Sequence, residues 1–400
     1  MTNPIIEHEQ LYCAHNYLPL PVVLVRGQGV YVWDDTGKRY IDMMSAYSAV
    51  NHGHCHPKIL KVLQEQANTL GIVSRSFYTD KLGVFLERAC QLTNFDKAIP
   101  MNSGVEAVET AIKAARKWAY LIKEVPQHQA EIIVCEGNFH GRTITAISMS
   151  TVPQYKDKFG PYTPGFKIIT YGDADQLEKA MTGHTAAFLV EPIQGEGGIH
   201  VPPPGYLAAC KEICRKHQVL MICDEIQTGL GRTGKLLACE HDNVHPDGIV
   251  LGKALGGGLL PVSLFLSRRE IMDVFTPGDH GSTFGGNPLA AAVGLASLEV
   301  LLNENLISAA AEIGNYFQEQ LRKIKSPLIK EIRGRGLLIG LEINHQYSAR
   351  GICLKLLEHG ILTKETHHSV IRFAPPLVIT KEQIDVAIDA LQCVLTDWRI

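Results

Sequence analysis

The chain contains the apolar run Val219-Leu220-Met221-Ile222-Cys223, which ends in Asp224, and the run Ile249-Val250-Leu251-Gly252, which ends in Lys253. Short runs without polar interruption are typical of strands that are buried on both faces of a parallel sheet. The carboxyl ends of parallel strands meet at one edge of the sheet. We therefore expect Asp224 and Lys253 to lie close together at that edge.

The same pattern extends through the middle of the chain. Helical patterns over residues 105–120 and 206–217 stand before or between apolar runs. We predict strands over residues 132–135, 187–190, 219–223, 249–251 and 262–266. Strands that alternate with helices predict an α/β fold, in which helices cover both faces of a mainly parallel sheet.

The composition of the sequence changes near Asn287-Pro288, where an Ala/Leu-rich helical pattern begins. A chain of 400 residues exceeds what one hydrophobic core usually holds, so we expect two domains. Beyond the change we predict helices over 289–302, 306–324 and 382–398, and strands over 328–332, 337–343 and 370–373. We predict a large domain over residues 46–290, a smaller α+β domain over 291–400, and an N-terminal segment, 1–45, that packs on the small domain and contains a hairpin-like stretch over 27–40.

Composition and charge exclude several classes of protein. The formal net charge is −3 and no basic run is dense enough to follow a phosphate backbone, which argues against nucleic-acid binding. No apolar stretch approaches the roughly 20 residues that span a bilayer. The N-terminus has no secretory or organellar signal pattern. The ten cysteines are scattered, which is typical of free thiols in a reducing compartment. We expect a cytoplasmic protein with neither membrane nor nucleic acid as a partner.

Two segments suit a phosphate group. Ser103 and Gly104 stand before a long predicted helix, and the free amides at such a helix start bind a phosphate dianion with help from the helix dipole. An ordinary helix cap is the alternative. Residues 281–288 form a second loop rich in glycine and hydroxyl groups, which includes Ser282 and Thr283.

Two further segments follow predicted strands. Phe139 lies in a glycine-flanked turn, where its ring can stack on a flat heterocycle, and Arg142 can bind a carboxylate through two contacts. The alternative is a glycine-rich turn with a solvated arginine. Glu191 and Glu196 lie beside a glycine pair, and they can serve as acid–base groups, as partners for an arginine, or as members of a structural ion pair.

Asp224 and Lys253 together fit the chemistry of pyridoxal phosphate. A lysine amine condenses with the aldehyde of this cofactor, and a carboxylate keeps its pyridine nitrogen protonated. Gln227 can donate to or accept from the ring hydroxyl. A lone lysine after a strand is more often a surface residue, but the neighbouring segments favour the cofactor here.

The segment Asp224-Glu225-Ile226-Gln227-Thr228-Gly229, followed 29 residues after Asp224 by Lys253, resembles the signature of the class III, fold-type I aminotransferases. The resemblance covers about residues 22–391. It implies a transferase dependent on pyridoxal phosphate, with a mainly parallel seven-stranded sheet in the large domain. It also implies a homodimer with active sites at the subunit interface.

Within this family the pattern is most similar to the enzymes that use ornithine. The segments that carry this likeness are 45–57, 74–78, 138–143, 191–198 and 371–376. The likeness implies a ping-pong transfer of the δ-amino group of L-ornithine to 2-oxoglutarate, which yields glutamate 5-semialdehyde and glutamate. The semialdehyde cyclises to pyrroline-5-carboxylate and so links arginine and proline metabolism. His140 departs from the pattern, since ornithine enzymes often carry tryptophan there and many other class III members carry histidine.

The resemblance also implies roles toward the cofactor. Lys253 would bind it covalently and move a proton, Asp224 and Gln227 would tune its ring, and Phe139 would stack on it. The residues implied for its phosphate are Ser103, Gly104 and Val105, joined by Thr283 and Ser282 from a second subunit.

For the substrate, the resemblance implies that Tyr47 holds the α-amino group of ornithine and Arg142 its α-carboxylate. Tyr78 is a further expected contact. Glu196 and Arg372 would form a switchable pair, closed when ornithine is bound and open when Arg372 takes a carboxylate of 2-oxoglutarate. A permanent salt bridge is the alternative.

Three other functions stay open on the sequence. One is an ω-aminotransferase for acetylornithine, γ-aminobutyrate or lysine, and another is an aminomutase or racemase on the same fold. The third is a non-catalytic scaffold or metal-binding protein. His52, His54, Cys55 and His56 resemble a metal cluster, but no second ligand pair stands at a suitable spacing, so we expect no metal.

Overall fold

The computed structural model describes residues 3–398, which form fifteen strands and fourteen helical segments. The strands are β1 Leu24–Gln28, β2 Tyr31–Asp34, β3 Arg39–Asp42, β4 Lys97–Met101, β5 Glu131–Cys135, β6 Phe166–Ile169, β7 Thr185–Val190, β8 Leu220–Asp224, β9 Gly248–Leu251, β10 Ser263–Ser267, β11 Ile329–Arg335, β12 Leu338–Ile343, β13 Ile361–Leu362, β14 Lys364–Thr366 and β15 Val370–Phe373. The helical segments are α1 Pro4–Tyr12, α2 Ser45–Ser48, α3 Pro57–Thr69, α4 Leu82–Thr93, α5 Gly104–Leu121, α6 Ile144–Met149, α7 Pro153–Lys156, α8 Ala174–Ala180, α9 Tyr206–Lys216, α10 Arg269–Met272, α11 Pro288–Asn303, α12 Leu306–Lys323, α13 Ala349–Glu358 and α14 Lys381–Thr396. Short 3₁₀ turns cover Ala238–Asp242 and Lys253–Gly256.

The largest sheet has seven strands in the order β4-β10-β9-β8-β7-β5-β6. Five of them, from β9 to β6, pair in parallel. Strand β10 pairs antiparallel with both β9 and β4, so β4 again runs in the direction of the parallel strands. The prediction of a mainly parallel seven-stranded sheet is confirmed.

The side chains of this sheet divide between two cores because successive residues in a strand point to opposite faces. In β8, Met221 and Cys223 lie in one hydrophobic cluster, whereas Leu220 and Ile222 lie in the other. Every residue of β7 and of β8 is buried. This two-sided burial explains why these strands read as unbroken apolar runs.

The carboxyl ends of β5, β7, β8 and β9 lie along one edge of the sheet, and the polar segments predicted above follow them directly. Residues 136–143 follow β5, residues 191–198 follow β7, and Lys253 follows β9. Because β4 shares their direction, helix α5 also begins at this edge. The topology therefore gathers the candidate residues in one place.

Two smaller four-stranded sheets complete the fold, with the orders β1-β2-β3-β13 and β11-β12-β15-β14. Strand β3, near the N-terminus, pairs in parallel with β13, near the C-terminus. The domain boundaries at residues 45 and 290 stay predictions, and helix α11 crosses the second of them. Within residues 3–398 no single helix is long and apolar enough to cross a membrane. Helices α11 and α12 reach the required length and apolar composition only when they are taken together, as a pair that is bent by 59°.

Candidate active site

A pocket of about 180 Å³ opens at this edge of the sheet. It is lined by residues from four strand ends and from the start of α5: Gly104, Val105, Phe139, His140, Gly141, Glu191, Ile193, Glu196, Asp224, Ile226, Gln227, Thr228 and Lys253. The predicted pair Asp224 and Lys253 is therefore brought into one cavity, together with Phe139, Gln227 and Glu196.

Asp224 is buried at the end of β8 and both of its carboxylate oxygens accept hydrogen bonds. Oδ1 accepts from the Ile226 amide at 3.1 Å, and Oδ2 lies 2.7 Å from Nδ1 of the buried His140. These contacts fix the carboxylate in orientation. A ligand that also donates to it from the pocket would meet a carboxylate that is already held in place.

The sequence did not reveal that His140 belongs to this site as the partner of Asp224. Burial by itself lowers the pKa of His140, but the hydrogen bond and the charge of Asp224 outweigh burial and raise it. Nδ1 therefore serves as the donor to Asp224. Within residues 3–398 the other ring nitrogen, Nε2, has no hydrogen-bond partner. A glycine-flanked histidine after a strand was the available signal.

Glu191 adds a second buried carboxyl group. Its Oε2 accepts from the Phe139 amide at 3.0 Å, which ties the loop after β7 to the loop after β5. Burial raises the pKa of Glu191 to about 7, and the charge of Asp224 adds to the rise against the opposing charge of His140. Glu191 is therefore a group that can exchange a proton near neutral pH.

Lys253 adopts a positive φ of 46° at the start of the 3₁₀ turn that follows β9. Burial lowers the pKa of its amine, and the nearby charge of Glu196 opposes that shift. A lowered pKa favours the unprotonated form of the amine, which is the form that attacks a carbonyl group or accepts a proton.

The side-chain amide of Gln227 lies between two cations. With its oxygen turned toward them, it accepts from Lys253 Nζ at 3.3 Å and from Arg372 at 3.2 Å. The charges of the two donors favour this orientation over the reverse. Gly195 leaves room for this amide, because a Cβ at residue 195 would overlap it and force Gln227 to move.

Glu196 and Arg372 form an ion pair with two contacts, one of which joins Arg372 Nη2 to Glu196 Oε2 at 3.1 Å. Arg372 lies on β15 and is 2% exposed. Burial by itself raises the pKa of Glu196, but the charge of Arg372 outweighs it and lowers that pKa to about 2. The guanidinium carbon also lies 5.1 Å from the ring centroid of Tyr47, which is half-buried.

The start of α5 borders the pocket through Gly104 and Val105. The first amides of a helix have no intrahelical acceptor, so they are free to bind an anion. Ser103 caps the helix: its amide and its hydroxyl both donate to Glu106, at 2.6 and 2.8 Å. Gly104 packs closely on Ile226, and a Cβ at residue 104 would lie 2.9 Å from the Ile226 side chain.

Seven candidate residues do not line this pocket in the single chain: Ser103, Tyr47 and Arg372, described above, and Tyr78, Arg142, Ser282 and Thr283. Arg142 is exposed, and its guanidinium lies over the ring of Tyr155, 3.8 Å from the centroid. Tyr78 and Thr283 are also exposed. Ser282 accepts from Asn102 at 2.9 Å, next to the start of α5.

The histidines of the apparent metal cluster point to three different partners. His52 lies 3.0 Å from the Ser297 carbonyl, His54 lies 2.7 Å from Asp42, and His56 lies 3.1 Å from Glu304. Within residues 3–398 no group of three or more histidine, cysteine or acidic side chains is arranged to hold a metal ion.

Comparisons with known proteins agree on one family. The model of the class III aminotransferases matches residues 12–395. Ornithine aminotransferase from Geobacillus sp. is 57% identical over 391 residues, which are 98% of each chain.

Solved structures give the same result. The ornithine aminotransferase of Toxoplasma gondii superposes with a TM-score of 0.97 at 46% identity and covers 99% of this chain and 94% of its own; that structure holds PLP at its active site with partial occupancy. Acetylornithine aminotransferase from Elizabethkingia anophelis has a TM-score of 0.90 at 49% identity and covers 98% of both chains.

Proposed function

This chain belongs to the class III aminotransferases, and on that premise we propose that it is an ornithine δ-aminotransferase that uses pyridoxal phosphate. It transfers the δ-amino group of L-ornithine to 2-oxoglutarate and yields glutamate 5-semialdehyde and glutamate. The observation that carries the proposal is the two-contact pair of Glu196 and Arg372 beside Tyr47, next to the pocket that holds Lys253 and Asp224.

The residues of the pocket fit the cofactor. Lys253 supplies an amine with a lowered pKa, and Asp224 supplies a buried, oriented carboxylate. The first amides of α5, at Gly104 and Val105, suit the phosphate, while Phe139 and Ile226 offer apolar surface to a flat ring. When bound, pyridoxal phosphate withdraws electrons from the carbon that carries the reacting amine.

With the cofactor bound, the protein would perform three tasks. Asp224 would accept a hydrogen bond from the protonated pyridine nitrogen, and His140 holds Asp224 in orientation. Lys253 Nζ would take a proton from the substrate carbon and deliver it to the former aldehyde carbon of the cofactor, a role that suits an amine whose pKa is lowered by burial. Gln227 orients Lys253 and would lie near the ring hydroxyl.

The substrate residues explain how one site accepts two different molecules. Ornithine reacts at its distal amine, with Tyr47 at its α-amino group and Arg142 at its α-carboxylate. Glu196 then neutralises Arg372, which would otherwise repel the cationic donor. With 2-oxoglutarate, Arg372 leaves Glu196 and binds the carboxylate nearer the reacting carbon.

We also propose a homodimer. The exposed patch formed by Leu70, Ile72, Phe77, Tyr78 and Phe284 leaves large apolar side chains open to solvent in the single chain. The two segments that form it meet, since the Leu289 amide donates to the Gly71 carbonyl at 3.3 Å. A second copy that covers this patch would bring its Tyr78, Ser282 and Thr283 to the neighbouring site.

We propose that this enzyme acts between arginine and proline metabolism and that it is cytoplasmic. The product semialdehyde cyclises to pyrroline-5-carboxylate, so the enzyme links arginine and proline metabolism. All ten cysteines are free thiols, six of them buried, which supports a reducing compartment such as the cytoplasm.

An amine-donor panel with 2-oxoglutarate tests the function. The purified holoenzyme should form pyrroline-5-carboxylate from ornithine faster than it uses acetylornithine, γ-aminobutyrate or lysine. The acetylornithine arm matters because a solved relative with that activity is 49% identical. A higher kcat/KM for acetylornithine would contradict the proposal.

The Lys253→Ala variant is the control for this panel. It should lose turnover with every donor, together with the absorption band of the covalently bound cofactor. Turnover that persists in this variant would contradict the role of Lys253. Product that forms without consumption of 2-oxoglutarate would instead indicate an aminomutase or racemase.

A further inference from the structure

Segment α2, Ser45–Ser48, is a left-handed helical turn made of ordinary L-residues. The φ angles of its four residues are 41°, 47°, 60° and 73°. Its backbone closes on itself, since the Ser45 carbonyl accepts from the Ala49 amide at 2.9 Å and from the Val50 amide at 3.0 Å. L-residues visit this region singly and at a cost, so the surrounding structure must hold four of them there.

The contacts that hold the turn converge on Ser45. The Asp42 carboxylate accepts from the amides of Met44 and Ser45, at 2.8 and 2.9 Å. The Ser45 hydroxyl donates to the Ala374 carbonyl at 2.6 Å and accepts from Arg232 Nη2 at 3.1 Å. The first residue of the turn is therefore bound on both its backbone and its side chain.

Arg232 is a fully buried cation at the centre of this network, with 0% exposure. Besides Ser45 it donates to the side chain of Asn51, to the Leu337 carbonyl at 2.9 Å and to the Pro375 carbonyl at 2.6 Å. All four acceptors are neutral. Burial lowers the pKa of Arg232 to about 9. A buried cation is costly unless it is well bonded. The hydrogen bonds of Arg232 join its own loop to three other chain segments, at residues 45–51, 337 and 375.

The same contacts tie the turn to the strand that carries Arg372. Residues 374 and 375 follow β15 directly. The Ala374 amide also donates to the carbonyl of Met43, which lies just before the turn, at 2.7 Å. Arg232 and Ser45 thus set the position of Tyr47 relative to Arg372. The ring of Tyr47 and the guanidinium of Arg372 are the two parts of the site that this connection brings together.

We propose that Arg232 is a positioning residue for donor selection: through the turn Ser45–Ser48 it holds Tyr47 at a fixed place beside Arg372, so that the enzyme distinguishes ornithine from α-amino donors. This inference rests on the proposed function, in which Tyr47 and the Glu196–Arg372 pair select ornithine. Arg232 does not line the pocket, so it acts through the turn and touches neither substrate nor cofactor.

The test compares the two half-reactions in single-turnover experiments on the holoenzyme. In Arg232→Lys and in Ser45→Ala, kcat/KM for ornithine should fall about tenfold, while kcat/KM for glutamate changes by less than about twofold. The affinity for pyridoxal phosphate should stay unchanged. Arg322→Lys is the matched control, because Arg322 is exposed and, within residues 3–398, its side chain bonds only to Gln318 on its own helix.

A glycine variant separates positioning from general damage. Ala46 is exposed at φ 47°, where glycine carries no steric penalty. Ala46→Gly should change the wild-type rates little, yet in the Arg232→Lys background it should restore much of the lost ornithine rate. Ser45→Ala keeps the test valid if Arg232→Lys does not fold, since it removes only one hydroxyl.

Two outcomes overturn the inference. One is an equal fall in both half-reactions, and the other is no fall in either. Failure of the proposed function would look different, because the wild-type enzyme itself would then not use ornithine. Ornithine turnover in the wild type, combined with an unchanged ratio in both variants, contradicts the role of Arg232 alone.

Discussion

In the proposed function, Glu196 is the side chain on which the choice between the two substrates depends. It holds Arg372 through two contacts while it is ionised, and the charge of Arg372 lowers its pKa to about 2, so the pair is closed at neutral pH. A closed pair leaves Arg372 neutralised by a partner that can be exchanged for a substrate carboxylate. This arrangement favours a switch over a purely structural bridge, because Glu196 lines the pocket and Arg372 is bound directly behind it.

Glu196→Gln keeps the shape of the side chain and removes its charge. The free charge of Arg372 should then lower kcat/KM for ornithine by about tenfold to a hundredfold, the effect of losing one contact between charged groups. The rate with glutamate should rise, since Arg372 no longer has to leave a partner. Half-reaction kinetics with both donors measure the ratio, and a ratio equal to that of the wild type would contradict the switch.

His140 has its effect through Asp224. Its Nδ1–H bonds to a carboxylate that has no other side-chain donor within residues 3–398. His140→Phe should therefore weaken pyridoxal phosphate binding by about tenfold. Tryptophan also offers a ring N–H, so His140→Trp should bind the cofactor more tightly than the phenylalanine variant does.

Titration of the cofactor-free variants with pyridoxal phosphate gives the dissociation constants. Equal constants for the phenylalanine variant and the wild type would show that Asp224 needs no second donor. This contact also gives the sequence departure at residue 140 a physical meaning: His140 donates to Asp224, and a tryptophan there would also carry a ring N–H.

At the scale of elements, the strands that the sequence predicts best are the central ones. Strands β7 and β8 are buried on both faces and therefore carry no polar interruption. Strands β4 and β6 lie at the two edges of the seven-stranded sheet and are only partly buried, so their mixed sequences do not show the pattern. Neither strand is therefore predicted from the sequence.

The site was predictable where a motif places a residue at a strand end. Asp224, Lys253 and Phe139 all follow from that rule. The left-handed turn at residues 45–48 and its contact with Arg232 could not be predicted in this way. The turn contains no glycine, the residue that usually indicates a positive φ. Contacts between residues 187 positions apart hold that turn, and no local pattern carries them.

The loop after β5 packs against the start of α5 at one glycine. Gly141 has a φ of +126°, and a Cβ there would overlap the side chain of Val105. Gly141→Ala should therefore displace Phe139 and His140 from the pocket. We expect a loss of about 1–3 kcal/mol in the free energy of unfolding and weaker cofactor binding.

Gly83→Ala is the matched control for this glycine. Gly83 lies in the first turn of α4 with open space around it, so the free energy of unfolding should rise by up to about 1 kcal/mol. Urea unfolding of the cofactor-free proteins measures both changes. A Gly141→Ala variant as stable as the wild type would contradict the close packing of loop and helix.

At the scale of the whole molecule, the N-terminal strands belong with the C-terminal part of the chain. Strand β3 pairs with β13, and Asn51 and the main chain at residue 375 meet on Arg232. The candidate site is therefore built from the seven-stranded sheet, which Lys253 follows, from the turn α2 after β3, which supplies Tyr47, and from β15, which supplies Arg372. In the proposed function, substrate selection depends on how these parts fit together.

The exposed patch predicts how the molecule assembles. Phe77→Asp places a charge where a second copy should pack, so the variant should become monomeric in light scattering at micromolar concentration and should lose activity. Leu121→Asp is the control, because Leu121 is also exposed but lies at the far end of α5, roughly 26 Å from its start. A Phe77→Asp variant that keeps the mass of the wild type would contradict this interface.

Positional labelling measures directly which amine of ornithine reacts. Ornithine labelled with ¹⁵N at the δ-amino group and ornithine labelled at the α-amino group are each incubated with the holoenzyme and 2-oxoglutarate. The δ label should appear in glutamate, and the α label should remain in pyrroline-5-carboxylate. Glutamate that carries the α label would contradict the account.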